Sequence, residues 1–205
     1  KHATDDDAPR MFARVMTYYL LMACSLTLVL TVIVAPLVKS DLPLLGRLIA
    51  PEYWPGLSVF PLILAAHIFD GVYANLMVGV YVKKESRRLP VVTGVAALIT
   101  VVLNILLVPR FGMMAAAWIT VVAFFVQAVL LYVATRSLYP IPYEWRRIAL
   151  ILISCGVLTS LAATWADSRP ALGMGLIAAW PLLLWAFGFF TPAERGFLRN
   201  LIAAR

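Results

Sequence analysis

The sequence predicts an all-α membrane protein, a polytopic bundle of helices that each cross the lipid bilayer. Apolar residues make up 63% of the chain and charged residues only 13%, whereas a soluble domain has about 45–50% and about 25%. The charges are also clustered, so that long stretches of the chain carry none. Both observations indicate a chain whose solvent is hydrocarbon rather than water.

Six stretches are long enough to cross a hydrocarbon core, which needs about 20 residues of helix. They cover residues 15–38, 56–82, 89–108, 113–133, 148–165 and 171–190. Only the second contains a formal charge, Asp70. The sequence therefore predicts a six-helix transmembrane domain over residues 11–190, preceded by a polar linker over residues 1–10.

The basic residues predict the orientation of these helices. The segments before, between and after the spans can be numbered from the N-terminus. Every second one of them, starting with the first, together holds 13 of the 17 lysines and arginines. Cytoplasmic loops carry such an excess, so both termini and the turn KKESRR at residues 83–88 are predicted to be cytoplasmic. Contact with anionic lipids of the inner leaflet then explains the net charge of +7, and nucleic acid is not an expected partner.

The two ends of the chain and its cysteines give further expectations. The opening KHATDDDAPR contains no secretory signal and is typical of the middle of a longer protein. Residues 191–205 begin with a capped helix start and predict an amphipathic helix on the cytoplasmic surface. Cys24 and Cys155 lie within spans and are interpreted as small apolar side chains, with no disulfide, metal site or cofactor expected.

The break between the third and fourth spans predicts a tight transmembrane hairpin. Pro109 lacks an amide donor and disfavours helix before it, so the third span is expected to end at Val108. Gly112 permits the backbone to reverse. Ala115 and Ala116 then allow close packing of the fourth span, because lipid provides no hydrophobic force between helices.

This hairpin also resembles a known family. Its residues LNILLVPRFG followed by MMAAAW are similar to the "LN-x-x-LIP-x-x-G-x-x-GAA" signature of polysaccharide flippases. These form the oligosaccharide-lipid branch of the superfamily that also holds the multidrug and toxin extruders. The KKESRR turn and the closing TPAERGFLRNL fall where that family has similar features. The likeness covers the whole chain as the C-terminal part of a longer transporter, although Ala115 stands where the family usually has glycine.

The resemblance implies a function. Such proteins flip undecaprenyl-pyrophosphate-linked oligosaccharide across the bacterial inner membrane for export of polysaccharide such as O-antigen, by alternating access between two lobes. The implied partners are that lipid-linked substrate, membrane lipids and an N-terminal lobe of the same transporter, and no cofactor is implied. The alternatives are a peptidoglycan-precursor flippase and a cation-coupled multidrug extruder. A membrane-bound glycan-processing enzyme is disfavoured, because no nucleophile, acid–base set or metal spacing is recognisable.

A sugar head group needs a polar path, since each unsatisfied polar group in hydrocarbon costs several kcal/mol. Polar and small residues at helical spacing provide candidates for this path. They are Asn75 in the second span, Thr100 and Asn104 in the third, and Ala116 and Gln127 in the fourth. The alternative is that such residues line ordinary helix–helix contacts.

Asp70 is the most informative residue, because a carboxylate in the middle of a span is costly unless it is protonated, paired or hydrated. His67, three residues earlier, lies on the same side of the helix and is a candidate to share a proton with it. The two residues therefore form a candidate substrate or proton pathway. The alternative is a carboxyl group that hydrogen-bonds within the bundle and never titrates.

Overall fold

The computed structural model describes residues 7–42, 46–47, 49–165 and 170–189, and it is a bundle of apolar helices. The helices are α1 (Ala8–Lys39), α2 (Phe60–Lys83), α3 (Arg88–Thr135), α4 (Trp145–Trp165) and α5 (Pro170–Ala186). Between α1 and α2 lie a small antiparallel ribbon of β1 (Asp41–Leu42) and β2 (Gly46–Arg47), and a 3-10 helix (Pro51–Ser58). The predicted all-α membrane class is confirmed.

α3 is a hairpin rather than one long helix. A straight helix would hold Arg88 and Ala134 about 69 Å apart at 1.5 Å per residue. Instead, Arg88 Nη1 donates a hydrogen bond to the Ala134 carbonyl oxygen at 2.7 Å. The reversal occurs at Gly112, whose φ of 59° and ψ of −143° are the one non-helical pair within α3. The first arm is thus residues 88–111 and the second arm residues 113–135, as the predicted hairpin requires.

The first arm ends later than the sequence predicted. Pro109 remains helical, so the expectation that the helix ends at Val108 is wrong. Pro109 lies in the last turn of the arm, where its missing amide removes only one hydrogen bond, and the positive φ of Gly112 ends the helix instead. Beyond the turn Ala115 is buried and Ala116 half-buried, which agrees with close packing of the second arm.

Consecutive segments alternate in direction. α1 and α4 run parallel, because Thr17 Oγ1 lies 2.8 Å from Glu144 Oε2 and the Cys155 thiol lies 3.6 Å from the Cys24 carbonyl oxygen. α2 runs antiparallel to α1, and α5 runs antiparallel to α4. With the hairpin, the described residues therefore cross the bundle six times.

The alternation gathers the basic residues at one end of the bundle. We call this the basic end and the opposite one the Lys39 end. The basic end carries Arg10, Arg14, Lys83, Lys84, Arg87, Arg88, Arg136, Arg146 and Arg147. Lys39 and Arg110 lie at the other end. The structure thus places together nine of the 13 basic residues that the sequence assigned to one side of the membrane, and the other four lie outside the described residues.

The spans differ slightly from their predicted bounds. α1, α2, α3 and α4 are long and apolar enough to cross a membrane, while α5 is a shorter apolar helix. It ends at Ala186 rather than at residue 190, because Gly188, at φ 70°, turns the chain so that the Phe189 amide bonds to the Leu184 carbonyl oxygen at 3.0 Å. α1 begins at Ala8, inside the predicted linker. The predicted helix over 191–205 lies outside the described residues.

The helices pack as two groups. α2 packs on both arms of α3, whereas α1 packs on α4 and α5, and the contact of α1 with α2 joins the groups. α3 and α4 make few contacts with each other. The buried core includes Leu20 and Leu28 on α1 and Ile151 on α4. This arrangement leaves a gap between the second arm and α4.

Candidate functional site

One face of α2 carries the polar side chains that the sequence singled out. At 100° per residue, His67, Asp70, Gly71 and Ala74 lie within about 100° of the helix circumference, and we call them the polar face. His67 and Ala74 are exposed, and Asp70 and Gly71 are half-buried. The buried residues of α2 lie mainly on its opposite side. They include Ile68, Leu76, Gly79 and Val80.

Tyr19 of α1 packs directly on this face. Its hydroxyl donates to the carbonyl oxygen of His67 at 3.3 Å or of Ile68 at 3.4 Å. A Cβ atom built on Gly71 would overlap the Tyr19 ring and hydroxyl, so glycine allows α1 to approach α2 here. Nothing in the sequence distinguished Tyr19 from other aromatic residues of the spans.

Asp70 and His67 share a face but not a hydrogen bond. Within the described ranges, no hydrogen bond or ion pair involves either side chain, although the His67 carbonyl accepts from Tyr19. The His67 ring instead packs near Phe124 of the second arm, with centroids 6.2 Å apart. That the two groups share a proton stays a prediction. The structure shows that one polar, partly exposed surface contains both.

The predicted amide and hydroxyl groups are mostly satisfied by their own helices. Asn75 Nδ2 donates to the Gly71 carbonyl oxygen at 2.9 Å, and Asn104 Nδ2 to that of Thr100 at 2.8 Å. Thr100 Oγ1 donates to the Ala96 carbonyl oxygen at 2.8 Å. Each side chain oxygen is left with capacity to accept. Half-buried side chains of this kind can lie in a protein contact or beside a polar path.

The polar residues of the hairpin are distributed over both arms. Thr100 and Asn104 are half-buried on the first arm, and Gln127 is half-buried on the second. Ala116 is half-buried and its carbonyl accepts from Thr120 at 2.9 Å. A hydrogen bond joins a polar side chain of the first arm to one of α2, between the Tyr73 and Thr93 hydroxyls at 3.4 Å.

A row of cavities, which the sequence did not predict, runs through the bundle. The two at the Lys39 end have volumes of about 460 Å³ each, and the two toward the basic end about 160 Å³ each. Consecutive cavities share lining residues. These are Ser58, Pro61 and Ala163, then Phe69 and Leu152, then Leu76, Tyr132 and Tyr143. We call this row the axial cleft.

One stripe of residues from each of four helices lines the axial cleft. The α1 stripe is Met16, Leu20, Cys24, Thr27, Thr31, Ala35 and Lys39. The second arm, α2 and α4 contribute similar stripes with spacings of three and four residues. The α1 residues from Met16 to Thr31 are buried, whereas Trp118 and Phe125 of the second arm are 54% and 49% exposed. The cleft therefore has its floor on α1 and opens between the second arm and α4.

The polar face and the axial cleft lie on opposite sides of α2. The cleft is lined by Ala65, Phe69, Val72 and Leu76, whose centre lies about 180° around the helix from the centre of the polar face at 100° per residue. None of the predicted pathway residues lines the four cavities of the described bundle. One signal for the cleft was present in the sequence. It was the row of small residues Cys155, Gly156, Thr159, Ser160 and Ala163 on α4.

The basic end contains an ion pair that joins three helices. Arg147 Nη1 lies 3.0 Å from Glu144 Oε2, and their side chains are only 12% and 29% exposed. Thr17 of α1 donates to the same carboxylate oxygen at 2.8 Å. The Arg147 guanidinium lies 4.3 Å from the centroid of the Phe189 ring, just after α5. The sequence used Arg147 and Arg88 to predict orientation, and the structure adds that Arg147 joins neighbouring helices and that Arg88 joins the two arms of the hairpin.

Aromatic rings close the cleft at the basic end. Tyr132, Tyr143 and Trp145 meet edge to face, with centroids 5.2 to 6.1 Å apart. Burial raises the pKa of Tyr143 to about 12, and the nearby Tyr132 adds to the shift. The Tyr143 phenol therefore stays protonated at neutral pH. Rings with a polar tip suit the interface between hydrocarbon and water.

The fold and these surfaces define a helical membrane bundle that has a polar face on one side and an apolar cleft on the other. The described residues contain no cluster of three or more His, Cys, Asp or Glu that could hold a metal ion. Cys24 and Cys155 are buried, unbridged thiols. Comparisons with protein families, with curated proteins and with solved structures found no match to this chain.

Proposed function

We propose that this chain forms the second lobe of a transporter that flips a lipid-linked oligosaccharide across the bacterial inner membrane by alternating access. The observation that carries the proposal is the polar face of α2. It holds an exposed imidazole and a half-buried carboxyl group, His67 and Asp70, within a helix long and apolar enough to span the membrane.

Lipid is a poor environment for this face. An aspartate at the centre of a spanning helix costs about 2.5–3.5 kcal/mol, and no described side chain hydrogen-bonds to Asp70. Water or another protein surface would remove that cost. The N-terminal lobe of the transporter, placed opposite the polar face, would provide both, because the space between two lobes is the aqueous path that a sugar head group needs.

The orientation in this proposal has both termini and the basic end in the cytoplasm. Arg14, Lys83, Arg88, Arg136 and Arg146 lie at that end, where anionic lipids and the excess of positive charge are expected. The substrate is undecaprenyl-pyrophosphate-linked oligosaccharide, as the hairpin signature implies. The polar face is then the surface along which its head group passes.

Deletion of the gene tests the proposal. We expect lipid-linked glycan to accumulate on the cytoplasmic leaflet, where a membrane-impermeant sugar oxidant added outside cannot reach it, and surface polysaccharide to be depleted. The parental gene should restore both. Normal export in a deletion strain that has no paralogous transporter would contradict the proposal.

Asp70 also favours a second candidate, a cation-coupled multidrug extruder, since a carboxyl group within a span is a natural site for a coupling ion. The same deletion strain separates the two. An extruder predicts greater sensitivity to toxic organic cations with unchanged surface glycan, whereas the flippase predicts the reverse.

A further inference from the structure

We propose that the axial cleft binds the hydrocarbon chain of a polyprenyl phosphate lipid, with the phosphate at the Lys39 end. The choice of a polyprenyl lipid rests on the proposed function, whereas the placement of a chain in the cleft rests on the cavities themselves.

The middle of the cleft suits hydrocarbon. The cavity nearest the Phe125 ring is lined by apolar and aromatic side chains, among them Leu20, Phe69, Leu76 and Leu152. The two larger cavities, at about 460 Å³ each, lie within the roughly 300–1,000 Å³ that is typical of ligand pockets. The opening between the second arm and α4 gives a chain direct access from the bilayer.

The length of the cleft distinguishes among lipids. Its α1 stripe runs from Met16 to Lys39, about 35 Å at 1.5 Å per residue. One leaflet is only about 15 Å deep, half of the roughly 30 Å hydrocarbon core. An ordinary acyl chain would fill less than half of such a cleft. A polyprenyl chain is long enough to occupy both leaflets.

The Lys39 end supplies a charge for the phosphate. Lys39 lines the outermost cavity together with Thr31, Trp54 and Ser58, and its Nζ lies 5.7 Å from the centroid of the Trp54 ring. Lysine binds phosphate as a point charge. Because surrounding lipid already solvates a hydrocarbon chain, selectivity must come from the fit of the chain and from this charged end.

The same end explains how one lipid could contact both sides of α2. Ser58, which ends the 3-10 helix, and Phe60 and Pro61, at the start of α2, line the outermost cavity. A lipid whose chain lies in the cleft would reach the polar face by passing this end of the helix. The hydrocarbon and the glycan would then lie on opposite sides of α2.

Photolabelling of the full chain in lipid nanodiscs tests the inference, with a diazirine-bearing C55 polyprenyl phosphate as the probe. We expect label on peptides that contain residues 114–132 and 148–163, and little on residues 91–106 of the lipid-exposed first arm. Undecaprenyl phosphate should compete with the probe, and phosphatidylglycerol should not. Equal label on the first arm would overturn the site, and equal competition by phosphatidylglycerol would overturn the choice of lipid.

Two glycine substitutions provide a matched comparison. A Cβ atom on Gly156, which lines the cleft, or on Gly175 of α5 would meet no atom within 4 Å. Gly156→Trp should lower labelling about tenfold by filling the cleft, equivalent to about 1.4 kcal/mol of binding free energy, while Gly175→Trp should leave it unchanged. Equal labelling of both variants would overturn the inference. If Gly156→Trp fails to fold, the labelling pattern of the unsubstituted protein still decides whether the cleft binds the probe.

Lys39→Gln tests the charged end. This substitution should reduce labelling by the polyprenyl phosphate probe and leave labelling by an uncharged polyprenol probe unchanged. Equal effects on both probes would exclude a phosphate contact at Lys39. These results are separate from the test of function. A labelled cleft in a protein whose deletion leaves glycan export normal would remove the proposed function and keep the lipid site. Lost export without cleft labelling would keep the proposed function and remove the lipid site.

Discussion

α2 separates two surfaces of opposite chemistry. On one side Phe69, Val72 and Leu76 line a cleft that is apolar along its middle. On the other side His67 and Asp70 lie on a partly exposed face that Tyr19 of α1 contacts through a hydrogen bond. Both surfaces belong to the same span and lie at the same level along its helix axis.

The difference shows what each surface requires from its surroundings. An apolar cleft is compatible with lipid, since a hydrocarbon chain loses nothing by entering it. A carboxyl group on the other face needs water, a proton or a protein partner to offset a cost of about 2.5–3.5 kcal/mol. The two faces therefore predict different responses to matched substitutions.

The largest expected effect is on transport. Asp70→Asn retains size and hydrogen-bonding capacity but removes the ionisable group, and it should reduce transport at least about a hundredfold, equivalent to about 2.8 kcal/mol. The matched change on the cleft side, Leu76→Met, conserves volume and should cost less than about 1.5 kcal/mol of stability, with a far smaller loss of transport. Glycan transport and protein abundance in the membrane are the measurements. Parental transport by the Asn variant would make Asp70 structural.

The next effect extends the comparison to α4, where two neighbouring arginines differ in burial. Arg147→Gln breaks the ion pair with Glu144, and it should lower the free energy of unfolding by about 1.5–3 kcal/mol. Arg146 is exposed, so Arg146→Gln should change it by less than about 0.5 kcal/mol. Each variant removes one positive charge from the first turn of α4, so the two differ in burial and not in charge. Equal unfolding free energies in detergent would show that the pair contributes nothing.

Alanine substitutions at two glycines compare how tightly the two sides of α2 are packed. Gly71→Ala brings a Cβ atom against Tyr19 and should cost about 1–3 kcal/mol, the usual cost of overpacking. At Gly79 the nearest atom to a new Cβ is 3.6 Å away, an ordinary contact, so Gly79→Ala should be neutral or stabilise by up to about 1 kcal/mol. Adding Tyr19→Ala to Gly71→Ala should cost less than the sum of the single changes. Strict additivity would mean that the two residues do not touch.

The smallest effect is at the basic end of α2, between the two faces. Lys84 adopts a left-handed conformation with φ 57°, where glycine is favoured. Lys84→Gly should stabilise by about 0.5–1 kcal/mol, whereas Lys83→Gly, in the last helical turn, should destabilise by about 1 kcal/mol. Unfolding measurements on the two variants check the opposite signs, and a loss of stability in both would contradict the turn conformation.

The number and position of the helices could be predicted because a span must contain about 20 apolar residues. The ends of the helices were less predictable. Pro109 and Gly112 both disfavour helix, and the sequence does not say which of them acts first. In the folded chain Pro109 costs one hydrogen bond in a final turn, while Gly112 takes the only non-helical conformation in α3.

The site could be predicted only where chemistry is unusual for its surroundings. Asp70 and His67 stand out in an apolar span, and the structure places them on one face. Tyr19 does not stand out, because its role depends on the close approach of α1 to Gly71. The axial cleft was also missed, since a cavity arises from what neighbouring helices fail to fill. Apart from the row of small residues on α4, most of its lining along the middle resembles that of any apolar helix.

The central claim is that the polar face of α2 meets water while other exposed surfaces meet lipid. Ala74 on this face and Val157 on α4 are both exposed, and a cysteine can replace either in a background where Cys24 and Cys155 are changed to alanine. Labelling with a hydrophilic maleimide, in vesicles open to the reagent from both sides, measures the difference directly. We predict rapid labelling of Ala74→Cys and very slow labelling of Val157→Cys, and equally slow labelling of the two would contradict the account.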